Sequence, residues 1–150
     1  MKTAKTYLII IMTAILFMAC SNFEEGPHFS FRKPEARITG TWELQKILLN
    51  DMMCDSLYQK EADFQFIYNK NYTFEIKLKN DAQNSELLYN GHWSFNPDNN
   101  NLNYTLLNDS TISYNYRVTR LTNKEMWLVV DQEFKMRKAT SIEKRYLKSN

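Results

Sequence analysis

Segment 72–79 (YTFEIKLK) alternates without a fault: Tyr72, Phe74, Ile76 and Leu78 fall on one side, and Thr73, Glu75, Lys77 and Lys79 on the other. Only a β-strand turns successive side chains to opposite faces, so this period predicts a strand with one apolar and one wet face. The pattern then recurs along the chain. Ile112, Tyr114, Tyr116 and Val118 oppose Ser113, Asn115, Arg117 and Thr119; Leu102, Tyr104 and Leu106 oppose Asn103 and Thr105. Phe64, Phe66 and Tyr68 share a face, as do Tyr89, Gly91, Trp93 and Phe95. Met126, Leu128 and Val130 alternate with Trp127 and Val129, which makes that strand apolar on both faces. Segment 38–49 opens the series with Trp42, Leu44 and Leu48 inward. Gly91, in mid-strand, marks a bulge or a close backbone approach.

Short polar segments separate these runs, at 69–71, 96–101, 108–110 and 122–124. They are rich in Asn and Asp, which tolerate the left-handed backbone of tight turns. Short turns join antiparallel neighbours, whereas parallel strands need crossovers of a dozen residues or more. No helical stretch supplies such a crossover. The C-terminal segment 140–147 reads as a last strand, with a helix over 141–149 as the alternative, because Ile142, Arg145 and Tyr146 are also helix-spaced. The expected strands are 38–49, 62–69, 72–80, 86–95, 101–107, 111–121, 125–136 and 140–147. Closing such a meander removes its edge strands, and eight strands enclose packed side chains or one small ligand. The expected fold is therefore all-β, an eight-stranded antiparallel up-and-down barrel over residues 37–150. Its one long connection is 50–61.

Ahead of the domain, Lys2 and Lys5 precede an apolar run of 11 residues at 7–17, then Met18, Ala19 and Cys20. About 20 apolar residues are needed to span a bilayer, so the run fits the core of a secretory signal peptide over 1–19. Segment 20–36 is polar, is broken by Gly26, Pro27 and Pro34, and reads as a tether. Removing 1–19 takes away two lysines and leaves 17 basic and 17 acidic side chains. A mature chain of zero net charge has no basic stripe for nucleic acid. Two histidines, His28 and His92, and two cysteines make neither a metal cluster nor a disulfide framework. Asp51 and Asp55 flank Cys54 without a histidine partner, and Cys54 reads as a small apolar residue. No catalytic constellation, metal or cofactor is expected.

Two motifs carry a resemblance. Phe17-Met18-Ala19-Cys20 resembles the lipobox of bacterial lipoproteins, with Phe in place of the usual Leu. That resemblance implies cleavage before Cys20 and a lipid on its thiol; ordinary cleavage after Ala19, leaving a free thiol, is the alternative. Gly40-Thr41-Trp42 at the head of the first strand resembles the lipocalin signature. With ITGTWELQKILLND, FIYNKNYTFE, GHWSF and YRVTRLTNKEMWLVV, residues 36–150 look like the lipocalin-like lipoproteins of Gram-negative bacteria. The resemblance implies anchoring in the outer membrane through Cys20, on its periplasmic or surface face. Glu24 and Glu25 are similar to a surface-export signal, or are simply a solvated linker. It also implies that Trp42 plugs the closed end beneath a basic residue, for which Arg120 and Arg117 are candidates. The first connecting loop would fold over the open mouth, with Met52, Met53, Leu57 and Tyr58 where a ligand enters. Inward aromatics, among them Phe66, Phe74, Tyr114 and Tyr116, either line a cup or fill it. Two functions follow: binding of a small apolar or amphipathic molecule, or, if the barrel is filled, interaction with a protein or glycan partner.

Overall fold

A computed structural model describes residues 32–79, 86–107, 112–132 and 140–149. The signal sequence, Cys20, His28 and the expected continuation of the seventh strand over 133–136 lie outside the described residues. The elements are α1 (Pro34–Ile38), β1 (Gly40–Leu49), β2 (Met52–Met53), α2 (Asp55–Glu61), β3 (Phe64–Tyr68), β4 (Thr73–Leu78), β5 (Glu86–Phe95), β6 (Asn101–Leu106), β7 (Ser113–Leu121), β8 (Glu125–Gln132) and β9 (Thr140–Lys148). From β3 to β9 each strand pairs antiparallel with the next, and β1 pairs with both β3 and β9. That last pairing closes the sheet into an eight-stranded up-and-down barrel. β2 is a two-residue return on the end of β1, with Leu49 opposite Met52. The C-terminal segment is a strand, paired with β8 from Glu125↔Leu147 to Gln132↔Thr140.

Two departures from strict alternation, in β1 and β7, are caused by bulges. A register shift between Leu44 and Lys46 inserts one residue into β1. An extra residue exchanges inside for outside. Ile47 is therefore buried and Leu48 only half-buried, the reverse of the alternation expected for β1. A second shift between Val118 and Arg120 buries Thr119 and Leu121 and turns Arg120 outward. Tyr72, expected inside, has a positive φ of 63° in the β3–β4 turn and lies half-exposed against Trp93, ring centroids 5.1 Å apart.

The chain enters at the closed end. Residue 38, expected to begin the first strand, instead ends α1, and Ile38 is fully buried beneath the barrel. Trp42 is also fully buried, and its indole N–H donates to the Ile38 carbonyl at 2.6 Å. The cation over its ring is Lys148, at 4.9 Å, and not Arg120 or Arg117. The register explains this, since Trp42 sits opposite Lys148. Lys148 also donates to the carbonyls of Arg37 and Thr39 at 2.8 and 2.6 Å, which ties α1 to the end of β9. Burial, and then the nearby Arg32, lowers the Lys148 pKa. Gly40 completes the arrangement. Its φ is +132°, and a Cβ there would meet Lys148 Cε at 2.6 Å.

Arg120 packs outside the barrel instead. Its guanidinium lies 5.1 Å from the Trp127 ring and pairs with Glu125 at 2.8 Å. Arg145 covers Trp127 at 3.6 Å. Two cations on one outward indole offset the cost of leaving that apolar ring on the surface.

Candidate functional site

The barrel interior divides into a packed lower half and a hollow upper half. Trp42, Tyr68, Trp93, Leu102, Leu121 and Met126 fill the closed end, each at most 3% exposed. Phe66, Phe74, Tyr104, Tyr116, Leu128 and Tyr146 form the next layer. Above them, toward the open end, lies a cavity of about 320 Å³. Its wall comprises Phe64 and Phe66 on β3, Ile76 on β4, Tyr89 on β5, Tyr104 and Leu106 on β6, Ile112 just ahead of β7, Tyr114 and Tyr116 on β7, Lys144 on β9 and Glu61 at the end of α2. The volume is at the small end of ligand pockets, which run from roughly 300 to 1,000 Å³.

Three tyrosines make one wall of this cup. Tyr104 and Tyr116 stack with centroids 5.4 Å apart and planes 14° from parallel, and Tyr114 lies 5.0 Å from Tyr104. Period two on β7 brings Tyr114 and Tyr116 to one face, and the register Tyr104↔Tyr114 brings β6 alongside. Burial, followed by repulsion from neighbouring phenolates, raises the Tyr104 pKa well above its ordinary value. Burial does the same for Tyr146, beside Tyr68, Tyr116 and Glu61. The phenols beneath the cup are therefore neutral hydrogen-bonding groups throughout the physiological range.

The charge in the cup lies on β9 and α2. Tyr146 on β9 faces the core, so period two turns Lys144 and Ile142 inward as well. Lys144 Nζ donates to both carboxylate oxygens of Glu61, at 2.7 and 2.6 Å. The Lys144 side chain is only 15% exposed and that of Glu61 28%. These are the charged groups lining the cup among the described residues. Sequence reading missed both. The signal for Lys144 was available, because a strand through 140–147 with Tyr146 inward places a lysine on its apolar face. The competing helix obscured that parity.

The residues expected at the mouth separate into groups. Phe66, Tyr114 and Tyr116 line the cup. Phe74 is buried below it against Tyr104, with ring centroids 5.0 Å apart. Leu57 and Tyr58 on α2 pack on the core from the side. Met52 and Met53 are 71% and 51% exposed on β2 and are not among the lining residues. The connection 50–61 is thus a short strand and a helix, and α2 contributes Glu61 to the cup.

Among the described residues no three His, Cys, Asp or Glu side chains gather as metal ligands would. Cys54 is a free, half-buried thiol next to Ser56.

No family model and no curated protein matches the sequence. Several solved structures resemble the fold. Bovine odorant-binding protein in complex with a selenium-containing odorant is 10% identical, with a TM-score of 0.46 over 84% of this chain and 78% of its own. Apocrustacyanin C2 is 19% identical, with a TM-score of 0.48 over 75% and 61%. The bovine lipocalin allergen Bos d 2 is 10% identical, with a TM-score of 0.41 over 77% and 75%. The architecture stands on this chain's own strand pairing: with β9 hydrogen-bonded to β1, it is a closed eight-stranded up-and-down antiparallel β-barrel.

Proposed function

We propose that this chain is a lipocalin-like binding protein that takes up a small apolar or amphipathic molecule in the cup. On this reading it is a binding protein and not an enzyme, held in the cell envelope, at the outer membrane, by a lipid on Cys20. The observation that carries the binding reading is the cavity of about 320 Å³ inside a barrel whose lower half is fully packed. A core needing only stability would fill that space, since cavities cost stability in proportion to their volume. The ligand would touch Phe66, Tyr114 and Tyr116, rest above Phe74, and pass Met52, Met53, Leu57 and Tyr58 at the entrance.

A neutral probe tests the cup. N-phenyl-1-naphthylamine should bind the full chain with micromolar affinity, about −8 kcal/mol, and brighten as it leaves water. Ile112 lines the cup yet is 38% exposed at the mouth. Ile112→Glu should therefore leave the fold intact while setting a carboxylate beside the probe. The expected result is at least tenfold weaker binding with little change in melting temperature. A wild-type chain that leaves the probe dark would return the barrel to the partner-interaction reading.

The anchor rests on the sequence alone, on the apolar run 7–17 and Ala19-Cys20. Stable anchoring takes more than one acyl chain or a second signal, as multiply acylated bacterial lipoproteins provide. Cys20→Ser should shift the protein from the membrane to the soluble fraction of its host. Unchanged membrane fractionation would place the attachment elsewhere.

A further inference from the structure

The Glu61–Lys144 pair joins two parts of unequal fixity. Lys144 belongs to β9, which is hydrogen-bonded to β8 on one side and to β1 on the other. It cannot leave the cup without breaking the barrel. Glu61 ends α2, a seven-residue helix with no buried residue. Its side chain, 28% exposed, can turn outward into water while Leu57 and Tyr58 keep α2 packed on the core. The cation is therefore fixed to the barrel wall, while the anion that neutralises it sits on a side chain that can turn away.

A head group that reaches Lys144 takes the place of Glu61 and so separates this pair. Glu61 then regains hydration, but Lys144, 15% exposed, is left on an apolar wall without its counter-charge. Unpaired buried charge is strongly unfavourable. A neutral ligand leaves that deficit in place, a cationic ligand worsens it, and a carboxylate removes it. The hydroxyls of the tyrosine wall add hydrogen-bonding groups for the same head group. We propose that the cup selects an anionic amphiphile, that Lys144 receives its carboxylate, and that this carboxylate takes the place of Glu61. The proposal rests on the binding reading above and specifies its ligand class. The cavity of about 320 Å³ has room for roughly ten waters at about 30 Å³ each, so the apolar part is a medium-length chain or a group of up to three rings, not a long lipid tail.

Three compounds with the same ten-carbon tail separate the outcomes: decanoate, decanol and decylamine, each titrated against the full chain below its aggregation concentration. Decanoate should bind at least tenfold tighter than decanol, and decylamine should bind weakest. Lys144→Met should remove the preference for decanoate over decanol. Lys144→Arg should retain it, which separates lost charge from lost fold. Glu61→Gln removes the competing anion and should strengthen decanoate several-fold. Equal binding of decanoate and decanol, or a preference that survives Lys144→Met, overturns the role of Lys144 while leaving the cup as a binding site. Tightest binding of decylamine assigns the head group to Glu61 and also overturns it. If no tail and no neutral probe binds, the binding reading itself fails.

Discussion

Trp42→Ala should lower the melting temperature of the domain by on the order of 10–20 °C, or leave the chain unable to fold. The indole is fully buried between Ile38 below and the strand layers above. Cutting a buried Trp to Ala typically costs about 3–5 kcal/mol, and domains of this size lose a few degrees per kcal/mol. The loss extends beyond packing. The Ile38 carbonyl loses its 2.6 Å donor, and Lys148 loses the ring under its ammonium group. Because Lys148 also binds the Arg37 and Thr39 carbonyls, α1 should loosen together with the end of β9. Trp42→Phe, which keeps a ring but loses the N–H, should cost much less. Thermal melts of the two variants against wild type check this. A Trp42→Ala variant melting within a few degrees of wild type would mean that the closed end does not depend on this plug.

Gly91→Ala should also be severe, although it adds a single methyl group. In an ordinary strand, replacing Gly with Ala at a compatible position stabilises by about 0.4–1 kcal/mol through the unfolded chain. At Gly91 the sign should reverse. A Cβ there would lie 2.1 Å from the Thr105 carbonyl oxygen and 2.5 Å from Phe74 Cε1. The carbonyl is backbone in β6, directly beside the Gly91↔Leu106 pair, and cannot retreat without opening the β5–β6 ladder. Overpacking of this kind costs about 1–3 kcal/mol and sometimes more. A Phe74→Leu background relieves the ring contact but not the carbonyl, so the methyl should remain destabilising there. Denaturant unfolding of the single and double variants measures both effects. A neutral or stabilising Gly91→Ala would show that β5 and β6 do not approach this closely.

The strands were legible in the sequence because alternation and Asn/Asp turns are local signals, and an antiparallel meander depends on little else. Closure followed from the count and the apolar inward face. Less legible were features set by pairing between distant segments. The bulge near Gln45 arises where β1 passes β9, and no residue in β1 announces that Ile47 and not Leu48 will face the core. The cation over Trp42 was sought on β7 because Arg117 and Arg120 are conspicuous there. Register between the first and last strands supplies Lys148 instead, from a segment whose secondary structure was itself ambiguous. The site was legible only on its aromatic side: Phe66, Tyr114 and Tyr116 follow from parity, whereas Glu61 depends on α2. A seven-residue helix without a buried face leaves no apolar period to detect.

The division of the barrel into a packed end and a hollow end bears on how freely the protein can change. Lys148, over the plug, and Lys144, in the cup, lie on one face of β9 four residues apart, or about 13 Å along the strand. Substitutions that far apart, with no shared partner, usually add with little coupling. Losses of stability suffered in reshaping the mouth can then be offset by independent gains at the floor, without either set disturbing the other. Such a barrel can accumulate variation around its opening while the same few residues keep it folded.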